Sequence, residues 1–207
     1  MWRALPMLWR GLINTALLAL TSIVLGSLAG VLICVGRLYG PKPVRLIATG
    51  FIDIFRALPI LVVLIVIYYA LPFVGIRFGS FTSASIALSI VLAAFTAEVF
   101  RAGIKSIPDG QFEAAMALGL PFRITLFKVI IPQALRIATP PQTSNCIAIA
   151  KDTSLASVVA MPDLLKQATD AQALMANPSP LIAAAAIYLI ILWPAVRLVA
   201  WLESRQT

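Results

Sequence analysis

Lys151 and Asp152 stand side by side in an otherwise apolar run, Thr139–Met161, and are followed directly by Thr153 and Ser154. An ionised side chain at the centre of a lipid-exposed helix costs about 2.5–3.5 kcal/mol, so both must face protein or water. Neighbours on a helix diverge by about 100°, which spoils a direct Lys151–Asp152 pair and leaves each needing another partner. Two uses are open. One is structural pairing with another helix. The other is a cavity in which Lys151 meets a carboxylate and Asp152 an ammonium, with the Thr153 and Ser154 hydroxyls beside a zwitterion. A helix broken here would add its own ends to such a site. Glu98 and Arg101 share a helix face, either as a pair anchoring a helix end or with Glu98 lining a cavity. Asp53 and Arg56 repeat that spacing and read as a structural pair. The 207 residues include no histidine, which removes imidazole acid–base chemistry and the commonest metal ligand. Cys34 and Cys146 lie in apolar runs without CxxC spacing and read as small core residues. No catalytic set and no metal site is expected.

The elements that position these groups must lie in lipid. The chain is 61% hydrophobic and 12% charged, against roughly 45–50% and 25% in soluble domains. A soluble enzyme or nucleic-acid binder is excluded, and the net charge of +8 reads as loop bias rather than a polyanion site. Runs near the 20 residues a crossing helix needs are Leu12–Val35, Leu58–Val74, Phe81–Phe100, Thr139–Met161 and Leu181–Trp201. The fold class is therefore all-α, an integral membrane helical bundle of about five spans. The first run is too long for a cleavable signal peptide and lacks a small-residue cleavage site. Eleven cations, Arg37, Lys42, Arg45, Arg56, Arg101, Lys105, Arg123, Lys128, Arg136, Arg197 and Arg205, fall on one side. Four, Arg3, Arg10, Arg77 and Lys166, fall on the other. That split places the N-terminus outside and the C-terminus in the cytoplasm. Trp2, Trp9, Trp193 and Trp201 read as interfacial belt residues. Pro162 and Asp163 are expected to end span four and begin an outer segment able to touch an external protein.

The longest polar stretch, 106–136, reads as two short helices. Ser106, Pro108 and Asp109 resemble a helix start, with hydroxyl cap, early proline and first-turn acid. Glu113 to Leu118 are helix formers, Gly119 suits a left-handed cap, and Pro121 opens the next helix. An amphipathic hairpin on the membrane surface would read the same way.

The residue string goes further. Glu113-Ala114-Ala115, three residues, Gly119, nine residues and Val129-Ile130-Ile131-Pro132 resemble the EAA loop of ABC-importer permeases, E-A-A-x3-G-x9-I-x-L-P. Val129 and Ile131 are aliphatic swaps at the pattern's Ile and Leu. Phe55-Arg56-Ala57-Leu58-Pro59, Ala97 to Ile104, Ile107-Pro108-Asp109-Gly110-Gln111 and Lys151 to Leu155 are similar to the polar-amino-acid branch of that family. The resemblance covers about residues 10–205, one permease domain containing the coupling loop 106–136. It implies a subunit of an ATP-driven importer that forms the pathway for polar amino acids, glutamate or aspartate among the candidates. Lys151 would suit an acidic side chain, or equally the α-carboxylate of any amino acid. It also implies a second permease subunit, identical or homologous, and a periplasmic or lipid-anchored amino-acid-binding protein. The site is a bacterial cytoplasmic (inner) membrane. Gly110, Glu113, Ala114, Ala115, Gly119 and Pro132 would couple to a cytoplasmic ATPase dimer, which would hold the ATP and Mg. This chain has no phosphate loop of the G-x4-G-K-[ST] type and is expected to bind no cofactor and no nucleic acid. The substrate pathway would draw on Lys151, Asp152, Thr153, Ser154 and Glu98. A secondary transporter or channel would have no use for such a loop. A membrane-embedded enzyme lacks its catalytic residues.

Overall fold

A computed structural model describes residues 4–204. Trp2, Arg3 and Arg205 lie outside the described residues. The helices in order are α1 (Leu5–Tyr39), α2 (Lys42–Ala57), α3 (Ile60–Ile65), α4 (Ser80–Lys105), α5 (Asp109–Ala117), α6 (Phe122–Ile124), α7 (Ile131–Asp152), α8 (Leu164–Met175) and α9 (Ser179–Ser204). No strand occurs among the described residues.

The spine is α1 against α4. Ser22, Gly26, Gly30 and Cys34 step along one face of α1 every four residues, all buried. A Cβ on Gly26 would lie 2.8 Å from Leu92, and one on Gly30 2.5 Å from Thr96. Only glycine lets the backbones approach so closely, and close packing is what joins helices in lipid, where the hydrophobic effect between them is absent. α4 answers with Ala84, Ala87, Ala93, Ala94 and Ala97, all buried. Of its most apolar stretch 67% is buried, against 11% for α9, so α4 is central and α9 peripheral. Leu189, Ile190 and Trp193 of α9 are exposed. Trp193 lies midway along α9, about 20 Å from its start at 1.5 Å per residue.

Three helices, α1, α4 and α9, are long and apolar enough to cross a membrane. The pair formed by α2 and the segment Ile60–Val74, bent by 106°, raises this to four. The five-run reading needs two corrections. Leu58–Val74 is not one α-helix: α3 passes into a π turn, Val66–Ala70, and a 3-10 turn, Leu71–Val74. The break from α2 falls at Leu58, held extended before Pro59, where a proline disfavours helical backbone. The run Thr139–Met161 is also shifted. α7 begins at Ile131, ends at Asp152 and yields to a 3-10 turn, Thr153–Val159, closed by left-handed Ala160 at φ 55°. α7 packs against α4 and α9 but is too polar to stand as an apolar span on its own.

Candidate functional site

Asn145, Ile149 and Asp152 follow one another along one face of α7 and line a cavity of about 310 Å³. Leu58, Ile60 and Phe95 close it from the α2–α3 break and from α4. The Arg56 guanidinium lies 5.8 Å from the centre of the Phe95 ring, a cation–π approach. A carboxylate thus stands beside the Asn145 amide on one wall of a largely apolar cavity, and the Arg56 cation, which does not itself line the cavity, rests on the aromatic of another wall. Such a pocket offers a carboxylate as a contact for an ammonium, with a cation held nearby on Phe95.

Lys151 does not share this cavity. It is exposed and lines a second cleft with Ser144, Val196 and Glu203. The 100° divergence of helix neighbours has sent the two ionisable groups to different faces. Thr153 is fully buried, and its hydroxyl donates to the Ala150 carbonyl at 2.8 Å. The Ser154 hydroxyl donates to the Lys151 carbonyl at 2.8 Å. Both hydroxyl protons serve the turn that ends α7, and neither residue lines the Asp152 cavity.

Glu98 is a junction. Arg101 grips it with two bonds, Nε to Oε2 at 2.9 Å and Nη2 to Oε1 at 2.5 Å. Arg37 of α1 donates to Oε2 at 2.7 Å, and Arg56 of α2 approaches Oε1 at 3.8 Å. The carboxylate therefore ties α1, α2 and α4 together, and it is not among the residues lining the Asp152 cavity. The Glu98–Arg101 spacing is legible in the sequence; Arg37 is not, since its contact depends on register between helices. Asp53 is exposed and forms no ion pair with Arg56, which turns to Glu98 and Phe95 instead.

In the segment 106–136, α4 runs on to Lys105, and the Ser106 hydroxyl donates back to Gly103. Ser106 thus closes α4 rather than opening α5, whose N-cap is Pro108. Asp109 begins α5, and Gly110 is exposed in its first turn. The C-terminal turn is as expected. Gly119 has φ 73°, its N–H donates to Met116, and the Leu120 N–H donates to Ala115, a Schellman pattern. Ala115 is buried within this chain, so the face of α5 left uncovered carries Glu113, Ala114, Met116 and Ala117. The second short helix is not separate. α6 passes through a π turn, Thr125–Ile130, into α7 with exposed Pro132 in its first turn. Ile107, Ile130 and Ala134 form a small core beneath α5, and Gln133 donates to Gln111 across it at 3.3 Å.

Two further polar groups carry weight that the sequence did not suggest. Gln142 donates to Thr96 at 3.0 Å and to Ser27 at 3.2 Å, joining α7 to α4 and α1 below Pro140 and Pro141. Asp163, fully buried, caps α8 by accepting from the Lys166 N–H at 2.8 Å. Its second oxygen has no partner among the described residues. Burial pushes its carboxyl up to about 6, against the pull of the α8 backbone N–H groups. Cys34 and Cys146 are free, the first buried.

The family model of the binding-protein-dependent transport system inner membrane component matches residues 22–207. The chain is 40% identical to the probable glutamine ABC transporter permease protein GlnP of Bacillus subtilis, over 79% of this chain and 75% of that one. It is 35% identical to the L-cystine transport system permease protein TcyB of the same organism, over 80% and 70%. The arginine transport system permease protein ArtQ, also of B. subtilis, is 31% identical over 90% and 86%. A crystal structure of an amino acid ABC transporter superposes with a TM-score of 0.92 at 33% identity, covering 99% of this chain and 96% of that one. An inward-facing methionine transporter, MetNI, shares the fold at 0.73 with 22% identity, covering 98% and 97%. These relatives are permeases, transport subunits rather than enzymes. The chain belongs to the binding-protein-dependent transport system inner membrane component family, as a multi-pass amino-acid ABC permease.

Proposed function

We propose that this permease carries a zwitterionic polar amino acid through the Asp152 cavity, and that ATP hydrolysis on a docked ATPase drives the passage. The observation that carries the reading is the placement of Asp152 on one wall of a cavity and of the Arg56 guanidinium against Phe95, which lines another wall of the same cavity. Asp152 takes the α-ammonium, Arg56 the α-carboxylate, and Phe95 with the aliphatic wall contacts the remainder. Thr153 and Ser154 set the turn that ends α7 beneath Asp152. Lys151, on the other face, has no direct part, so the cavity offers an acidic side chain no cation beyond Arg56. The relatives carry glutamine, L-cystine and arginine by name, and a glutamine-like neutral substrate suits the single carboxylate here. Glu98 holds Arg56 and the helix ends around it in place.

The segment 106–136 is the ATPase dock. Its uncovered face combines Glu113, Ala114 and Ala117 with exposed Met116, Leu118, Phe122 and Phe127, an apolar surface outside the chain's own core. Gly110, Ala115, Gly119 and Pro132 shape and seat the loop that bears it. ATP and Mg belong to the partner ATPase dimer. A second permease subunit completes the pathway, and an amino-acid-binding protein loads it from the side of α8. The N-terminus lies outside and the C-terminus in the cytoplasm.

The test is uptake in vesicles that hold the permease with its ATPase and binding protein. Asp152→Asn and Arg56→Gln are expected to reduce uptake at least several-fold while the subunits still co-purify. Lys151→Gln should leave uptake within about twofold, as expected of an exposed charge. Full uptake with Asp152→Asn in an intact complex would overturn the assignment.

A further inference from the structure

A second cleft, of about 370 Å³, opens where the end of α1 meets α2, far along α1 from α8 and on neither face of the Asp152 cavity. Its lining is apolar: Leu32, Ile33 and Gly36 from α1, and Val44, Ile47 and Phe51 from α2. Gly36 keeps it open, since a Cβ there would stand 3.3 Å from Val44. The α2 residues recur at helical spacing, so the cleft runs along the helix as a groove. Nothing among the described residues covers it: Leu32 and Ile47 are each 72% exposed.

Two cations stand at one end. Lys42 and Arg45 bracket Val44, are exposed, and make no ion pair among the described residues. Of the other nearby cations, Arg37 is bonded to Glu98, and Arg56 lies 3.8 Å from Glu98 and against Phe95. A groove lined by hydrocarbon, with two unpaired positive charges at its head, matches a molecule with an aliphatic tail and an anionic head. A helix like α2, amphipathic and basic at its start, also has the character of one lying in the headgroup plane. We propose that this cleft is a site for an anionic phospholipid, with one acyl chain along Leu32, Ile33, Ile47 and Phe51 and the phosphate held by Lys42 and Arg45. Two near-surface cations together favour an anionic over a zwitterionic lipid on the order of tenfold.

The full chain, reconstituted with the subunits that co-purify with it, provides the test. In vesicles of phosphatidylcholine and phosphatidylglycerol in equal parts, bromine is placed on one lipid or the other. A Phe51→Trp variant reports contact by quenching, above the baseline of the native tryptophans. Brominated phosphatidylglycerol is expected to quench more strongly, and the difference should vanish in Lys42→Gln/Arg45→Gln. Equal quenching by both lipids overturns the proposal, and no quenching by either overturns it in favour of a second subunit covering the groove. Should Phe51→Trp fail to fold, native mass spectrometry of the otherwise unaltered chain decides. Phosphatidylglycerol should be retained about tenfold over phosphatidylcholine, and unchanged retention in the double variant overturns the site.

Discussion

Asp163 is a fully buried carboxyl, and its oxygens are unequally served. One accepts from the Lys166 N–H, and the other has no partner among the described residues. The folded chain consequently binds the proton at about 6, where an ordinary aspartate binds it at 3.8. Tighter proton binding in the folded state means that protonation stabilises the fold. The contribution is full below the ordinary value and is lost as pH rises through about 6. Asparagine caps a helix as well as aspartate does and cannot ionise. The thermal unfolding midpoint of the wild-type chain in detergent is therefore expected to fall between pH 5 and pH 8, and that of Asp163→Asn to stay level. At pH 8 the variant should be the more stable of the two. A variant that tracks the wild-type profile would assign the titration elsewhere. The sequence marks Asp163 as the end of a segment, and nothing in it shows the burial, because the covering residues, Leu8 to Thr15 on α1, are about 150 positions away. The same limit separates Lys151 from Asp152. Helical geometry says that they diverge, but only the neighbouring helices decide which of them meets a cavity.

Elements were legible where composition alone decides them. The apolar runs that became α1, α4 and α9 are long and uninterrupted, and burial in lipid needs nothing more. The others depend on turns with a local chemistry of their own. Leu58-Pro59 breaks α2 from α3, Asp152-Thr153 narrows α7 into a 3-10 turn, and Thr125–Ile130 widens into a π turn that joins α6 to α7. Periodicity does not register changes in hydrogen-bond ladder of this kind. The Gly26-x3-Gly30 spacing was present in the sequence as a signal for close α1–α4 packing, and it is a better guide to the spine than hydropathy. Gly119 was legible outright, because a glycine after helix formers and before a proline fits few other roles. In the structure a Cβ there would meet nothing within 4 Å, so a substitution costs backbone strain alone, about 1–2 kcal/mol at φ 73°. Gly119→Val should therefore insert and accumulate normally while the Schellman turn loosens and the uncovered face of α5 loses its orientation. ATPase association, or stimulation of hydrolysis by the loaded binding protein, is expected to fall at least several-fold together with uptake. Glu113→Ala should show a weaker form of the defect. Stimulated hydrolysis at the wild-type level in Gly119→Val membranes would remove this turn from the coupling path.

At the scale of the molecule, the charge split and the helix layout point to one orientation. α5 and α8 lie at opposite ends of the bundle: α5 follows the C-terminal end of α4, and α8 packs on the N-terminal part of α1 beside Gly11 and Thr15. α1 and α4 run in sequence through the α2–α3 break, so the end of α1 near Tyr39 and the end of α4 near Lys105 are joined on one side by the Arg37–Glu98–Arg101 junction. That side also carries Lys42, Arg45, Lys128 and most of the remaining cations, which stay cytoplasmic in multi-pass proteins. Labelling positions follow from exposure. Ala115 is a poor site because it is buried, whereas Ala114 on the same helix and Thr169 on α8 differ little in size from cysteine and are both exposed. In a background with Cys34 and Cys146 replaced by alanine, Thr169→Cys is expected to react with a membrane-impermeant maleimide added to intact cells. Ala114→Cys should react only after the membrane is opened. The reverse pattern would invert the whole molecule, placing the proposed ATPase dock outside, where the 106–136 segment could not couple to ATP. Labelling of both positions from outside would break the inference that the bundle crosses the membrane between α5 and α8.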